Sequence, residues 1–154
     1  NDGDGNPTTD EIYCYPALYK ETISIAAVQK EDGFLLDATN FSESNSSINY
    51  SGIGSNVVSL KPGGGIQTMS GTSMAAPHIT GLIACLLSNN NDNNNSTTKT
   101  KYTTDKKLRA LLDTTYVIDI GEEGYDKQTG KGFLSYLAAN DKDDFIDLLS
   151  MVAN

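Results

Sequence analysis

Apolar residues along the chain fall into short runs of two kinds, separated by long polar stretches. "TISIAAV" (Thr22 to Val28), "VVSL" (Val57 to Leu60) and "IQTM" (Ile66 to Met69) are brief and rich in β-branched residues, which predicts three strands, the first two buried. "MAAPHITGLIACLL" (Met74 to Leu87) is longer and apolar nearly all round, so as a helix it belongs inside a core. Thr72 or Ser73 is its natural cap, and Pro77 falls in the first turn, where a missing N–H costs least. "TTDKKLRALLDTTY" (Thr103 to Tyr116) places Leu108, Leu111 and Leu112 at helical spacing behind a polar cap, an amphipathic helix. "GKGFLSYLAAN" then reads as a turn, a short strand and a small-residue turn of helix. "DDFIDLLSMV" reads as a closing amphipathic helix.

The polar stretches supply the connections. Asp32-Gly33 sits at the tip of a hairpin-like segment, and Pro62-Gly63 stops the second strand. "NFSESNSSINYSGIGSN" (Asn40 to Asn56) is dense in turn formers and reads as a surface loop with short edge pieces at most. "NNNDNNNSTTKT" (residues 89–100) cannot bury enough apolar surface to order itself and reads as a flexible insertion. Strands alternating with helices predict an α/β domain with a mainly parallel sheet. Three strands are few for such a sheet, so part of a larger domain is expected.

Charge and composition narrow the function classes. A net charge of −9 over 154 residues excludes nucleic acid and anionic lipid as expected partners, since both require clustered Lys and Arg. No run of 18 or more apolar residues occurs, so no membrane span is expected. The chain starts at Asn1 without a methionine or a leader pattern, which reads as a processed or excised product. Cys14 and Cys85 lie far apart, outside any C-x-x-C pair, and with a single histidine no metal site is expected from them. Acceptor patterns for N-glycosylation at Asn40, Asn45, Asn49, Asn94 and Asn95 suit a secreted or secretory-pathway protein.

Candidate chemistry centres on "SGTSMAAPHITG" (Ser70 to Gly81). A serine at a helix start either caps the helix or attacks a carbonyl with the help of helix-end N–H groups, and residue type alone favours capping; the string around Ser73 reverses this. The eight residues "GTSMAAPH" (Gly71 to His78) resemble, position for position, the nucleophile signature of the subtilisin-like serine proteases, the subtilases. "YPALYKETISIAAV", "NVVSLKPGGGI" and "GKGFLSYLAA" look like further segments of the C-terminal part of such a catalytic domain. The resemblance implies a three-layer subtilisin-like α/β fold with a mainly parallel sheet, incomplete here, with residues 1–154 forming its C-terminal portion.

It also implies a mechanism. Ser73 would be the nucleophile of a serine endopeptidase acting on a polypeptide substrate through an acyl-enzyme. The triad's Asp and His, which precede the serine in this family, would lie in the missing N-terminal part of the catalytic domain, so this chain alone should be inactive. His78 matches a structural histidine and not the base, and Asp143 and Asp144 read as solvated charges. Asn1, in "NDG" ahead of Tyr15-Pro16, fits the family's oxyanion-hole asparagine. Cys14 stands where many subtilases have a glycine at the base of the substrate pocket, and would shorten that pocket. Lys61 replaces a small residue before Pro-Gly.

No cofactor is required by this chemistry, and calcium enters only as a structural ion. Asp2, Asp4 and Asn6 match the first ligand positions of an EF-hand loop, but Pro7 and Tyr13 stand where Gly and Glu are needed. The family's weak cation site in backbone carbonyls would fall at Ala17 and Tyr19. The alternative reading is a catalytically dead pseudoprotease or binding module that keeps the serine string as scaffold.

Overall fold

The structure is a computed structural model of the chain and describes residues 14–30, 36–89 and 104–136. Its strands are β1 (Ile25–Lys30), β2 (Leu36–Ala38), β3 (Tyr50–Ile53), β4 (Val57–Leu60), β5 (Ile66–Met69), β6 (Val117–Ile118) and β7 (Phe133–Leu134). Its helices are α1 (Thr72–Asn89) and α2 (Asp105–Leu111), the latter running into a π-helical turn at Leu112–Tyr116. Thr104 caps α2, its side chain accepting the Lys107 N–H, as the polar cap in the sequence predicts. The closing helix expected over 143–152 and the insertion at 89–100 lie almost wholly outside the described residues.

Five strands form one sheet in the order β2-β1-β3-β7-β6, while β4 and β5 pair as a separate hairpin. The expectation of a mainly parallel sheet is overturned: β1 with β3 and β3 with β7 are parallel, but β1 with β2, β6 with β7 and β4 with β5 are antiparallel. Connection length is the reason for β1 with β2 and for β4 with β5. Parallel neighbours need a crossover of about a dozen residues or more, and the short links 31–35 and 61–65 leave only the hairpin geometry. Parallel pairing is confined to the centre, where longer excursions of chain separate the strands.

The segment expected to be a surface loop contains β3, the middle strand of the sheet. Ser51 and Tyr50 are 0% and 1% exposed. A Cβ on Gly52 would lie 3.2 Å from the Ala75 carbonyl oxygen and 3.2 Å from Ile79, so the strand's small residues bring the backbone of α1 close to the sheet. The polar composition that reads as loop is, in space, a close-approach surface. Around it Ser42 is buried and its hydroxyl accepts the Ala27 N–H at 3.0 Å. Asn45 is buried, with its side chain accepting the Ser47 N–H, and Asn49 accepts from Ser24. Among the described acceptor patterns only Asn40 is exposed.

The core joins Tyr50, Ile79, Leu86, Leu112 and Leu134, with Leu82, Ile83 and Leu108 packed against it. Both helices share this cluster, which fixes α1 against β1 and β3. α1 is not enclosed by the described residues, however: Ala75, Ile79 and Leu86 are buried while Pro77, Ala84, Cys85 and Leu87 are exposed. Lys61 raises no packing conflict, since it is exposed at the β4–β5 tip, where its N–H donates to the Gly65 carbonyl at 3.0 Å.

Candidate active site

The start of α1 is built by a close approach of two glycines. The Gly71 N–H donates to the Gly54 carbonyl at 2.7 Å, and the Asn56 N–H donates to Ser70 Oγ at 2.9 Å, so the end of β3 and the end of the β4–β5 hairpin meet there. A Cβ on Gly54 would lie 2.6 Å from the Ala27 Cβ and 2.8 Å from the Gly71 carbonyl oxygen. Only glycine permits this spacing. The Gly71 carbonyl then accepts the Met74 N–H at 2.9 Å and the helix begins at Thr72.

Ser73 therefore sits within the first turn of α1. It is exposed, and among the described residues its hydroxyl has no hydrogen-bond partner. The capping role that residue type allows is not performed by this serine. Its hydroxyl stands at the positive end of an 18-residue helix, where a developing negative charge is stabilised. His78 is also exposed, and its Nδ1 lies 2.9 Å from the Met74 carbonyl, an acceptor, so that nitrogen carries the proton and points along the helix. Among the described residues no hydrogen bond joins His78 to Ser73.

Cys14 is a free, exposed thiol at the head of a turn in which its carbonyl accepts the Leu18 N–H at 3.0 Å and the Tyr15–Pro16 peptide is cis. It lines a cavity of about 100 Å³ together with Leu18, Ile25, Glu43, Ile48 and Thr72. Thr72 immediately precedes Ser73, so the structure brings Cys14 to the neighbourhood of the serine. Asn1, Asp2, Asp4 and Asn6 lie outside the described residues. Among the described residues no group of three His, Cys, Asp or Glu side chains is placed to hold a metal ion.

Two contributions to this region escape sequence reading. Glu43 and Ile48 come from the segment that reads as surface loop, and no pattern in it marks them as cavity walls. Arg109, on α2, reaches 87 residues back along the chain to the Thr22 carbonyl at 2.7 Å. Nothing local in the sequence marks this contact, which only the tertiary fold shows.

Among the described residues, the longest helix of this α/β domain thus opens on an uncommitted serine hydroxyl beside a lined cavity. The chain belongs to the subtilase family, whose sequence profile ("Subtilase family") matches residues 1–132. It is 32% identical over 142 residues to the major intracellular serine protease of Bacillus subtilis (strain 168), which covers 92% of this chain and 40% of that protein. It is 42% identical over 86 residues to an intracellular serine protease of Paenibacillus polymyxa, covering 56% of this chain and 25% of the relative. Its fold matches fervidolysin from Fervidobacterium pennivorans, described as a keratinolytic enzyme related to subtilisin, with a TM-score of 0.64 and 28% identity over 81% of this chain and 20% of that one. The chain thus spans well under half the length of these relatives, as part of a larger catalytic domain. Among the described residues no helix is long and apolar enough to cross a membrane.

Proposed function

We propose that the complete protein is a serine endopeptidase in which Ser73 attacks the scissile carbonyl and carries the acyl group. One observation carries this reading: a serine inside the first turn of α1, within the string Gly71 to His78, keeps its hydroxyl exposed and unshared. A general base within hydrogen-bonding reach is needed to take the serine proton, and the chain's single histidine, His78, is turned to the Met74 carbonyl. The base and the acid that orients it then come from the part of the domain beyond this chain, which on its own is inactive.

Asn1 supplies the side-chain N–H of the oxyanion hole, with the Ser73 N–H as the backbone donor. Cys14 lies at the base of the pocket for the substrate residue preceding the scissile bond and shortens it relative to a glycine. Labelling of the full-length protein with a fluorophosphonate tests the assignment. Labelling that disappears in Ser73→Ala is the expected result. Labelling that survives the substitution removes Ser73 as nucleophile, and a correctly folded full-length protein that never labels leaves the binding-module reading in its place.

A further inference from the structure

The subtilase family implies a cation held by backbone carbonyls after the aromatic-proline turn, here those of Ala17 and Tyr19, and the residues present do not fit one. Thr22 Oγ1 lies 3.1 Å from the Pro16 carbonyl oxygen, 3.2 Å from that of Ala17 and 2.7 Å from that of Tyr19. Three carbonyls therefore lie around one hydroxyl, whose single proton serves the nearest, that of Tyr19. A calcium ion collects six to eight oxygens at about 2.3–2.6 Å, so an ion serving these carbonyls would have to displace the hydroxyl from the point where they meet. The Pro16 and Tyr19 carbonyls also accept backbone N–H bonds, from Tyr19 and Thr22, each at 3.0 Å.

The end of the same loop is held by a cationic side chain. One terminal nitrogen of Arg109 donates to the Thr22 carbonyl at 2.7 Å and lies 3.4 Å from that of Lys20, and the other lies 3.4 Å from Asn49 Oδ1. Nε faces both carboxylate oxygens of Asp105 at 2.9 Å, which fixes the plane of the guanidinium. The Arg109 side chain is only 21% exposed. A fixed positive charge with several donors thus sits against the carbonyls at the end of the turn, supplied by the chain itself.

We propose that Thr22 and Arg109 stand in for the cation: the hydroxyl donates to the Tyr19 carbonyl within the turn and the guanidinium donates to the Thr22 carbonyl that ends it. Both are positioning residues. They hold residues 14–22, and with them the Cys14 wall of the cavity, without a bound ion. Holding the loop is independent of the proposed proteolytic reading; only the consequence for substrate rests on it.

The test compares thermal unfolding of the full-length protein with Thr22→Val and Arg109→Gln, each in EDTA and with millimolar calcium chloride or potassium chloride. The expected result is a cation-induced rise in midpoint that is several degrees larger in the variants than in the parent protein. Arg109→Lys, which keeps the charge but has fewer donors, is expected to fall between. A rise that is equal or smaller in the variants overturns the proposal, because removing the two side chains would then open no ion site in this loop. Thr22→Val removes one hydroxyl of a half-buried residue and carries the test if Arg109→Gln does not fold. Midpoints are read whether or not the protein labels with fluorophosphonate, so failure here is distinct from failure of the catalytic assignment. In an active protein, Arg109→Gln in EDTA is expected to raise KM several-fold while changing kcat little.

Discussion

Ser73 and Gly54 occupy neighbouring points of the same construction and predict opposite kinds of damage. A serine that caps a helix contributes about 1 kcal/mol, but here the Gly71 carbonyl starts the helix and the Ser73 hydroxyl is bound to nothing described. Ser73→Ala is therefore expected to leave stability within about 0.5 kcal/mol of the parent. Turnover should fall on the order of 10⁶-fold, the loss seen when the serine or the histidine of the subtilisin triad is removed. Chemical unfolding and peptide hydrolysis by the full-length protein check the two halves. Gly54→Ala should do the reverse in stability: the added carbon meets the Ala27 Cβ at 2.6 Å and the Gly71 oxygen at 2.8 Å, an overpacking cost of about 1–3 kcal/mol. Because relief of that clash moves Gly71, kcat should fall more than KM rises, and a variant with unchanged kcat would show that the turn carrying Ser73 does not depend on this contact.

At the scale of elements, β1, β4, β5 and both helices are legible because each carries its own signature: β-branched runs for the strands, leucine spacing or an apolar stretch for the helices. The burial expected of β4 is not observed, since Val58 and Leu60 are exposed on a two-stranded hairpin. β3 is not legible, because its residues Ser51 and Gly52 are chosen for closeness to α1 and not for hydrophobicity. Strand direction is hidden for a different reason. Alternating strands and helices suggest crossovers, whereas the short links 31–35 and 61–65 admit only hairpins. The serine string is fully legible, but the cavity beside it is half hidden, because Glu43 and Ile48 belong to the same polar segment as β3. Arg109 is invisible, since contacts across the fold leave no local trace.

β3 also makes a pH-dependent tie to the end of α2. Tyr50 is buried and its hydroxyl donates to Asp113 Oδ1 at 2.6 Å, while Lys131 Nζ reaches the other carboxylate oxygen at 2.6 Å. Burial, then the hydrogen bond to Asp113, push the Tyr50 hydroxyl well above the ordinary tyrosine value of 10.0. The folded state thus holds this proton more tightly than the unfolded chain. The stabilisation is complete below about pH 10 and is lost as pH rises through the higher folded value. Tyr50→Phe is expected to cost about 1–3 kcal/mol at neutral pH through the lost bond and the carboxylate left behind. It should also show a shallower loss of stability between pH 9 and pH 11, which denaturant titrations at the two pH values measure. An equally steep alkaline loss in the variant would assign the effect to other groups.

The whole molecule is asymmetric around α1. The helix is apolar on nearly every side, yet the described residues cover only the face of Ala75, Ile79 and Leu86. Pro77, Ala84, Cys85 and Leu87 remain open, beside a groove lined by Ile53, Leu82 and Phe133. Burying one leucine-sized side chain is worth about 1.5–3 kcal/mol, so a face of this kind left in water forfeits stability that the remainder of a catalytic domain can recover. The chain covers 40% of its Bacillus subtilis relative, which leaves ample polypeptide to do so. The two cysteines make the prediction measurable, because both are free and exposed in this chain. In the native full-length protein Cys85 should resist iodoacetamide until denaturant is added, while Cys14 should react in the native state and be slowed by an occupied substrate pocket. Mass spectrometry of the two alkylated peptides reads both sites in one sample. Fast native alkylation of Cys85 would mean that the outer face of α1 stays in solvent, and would remove the enclosed inner helix from the account of how Ser73 is held.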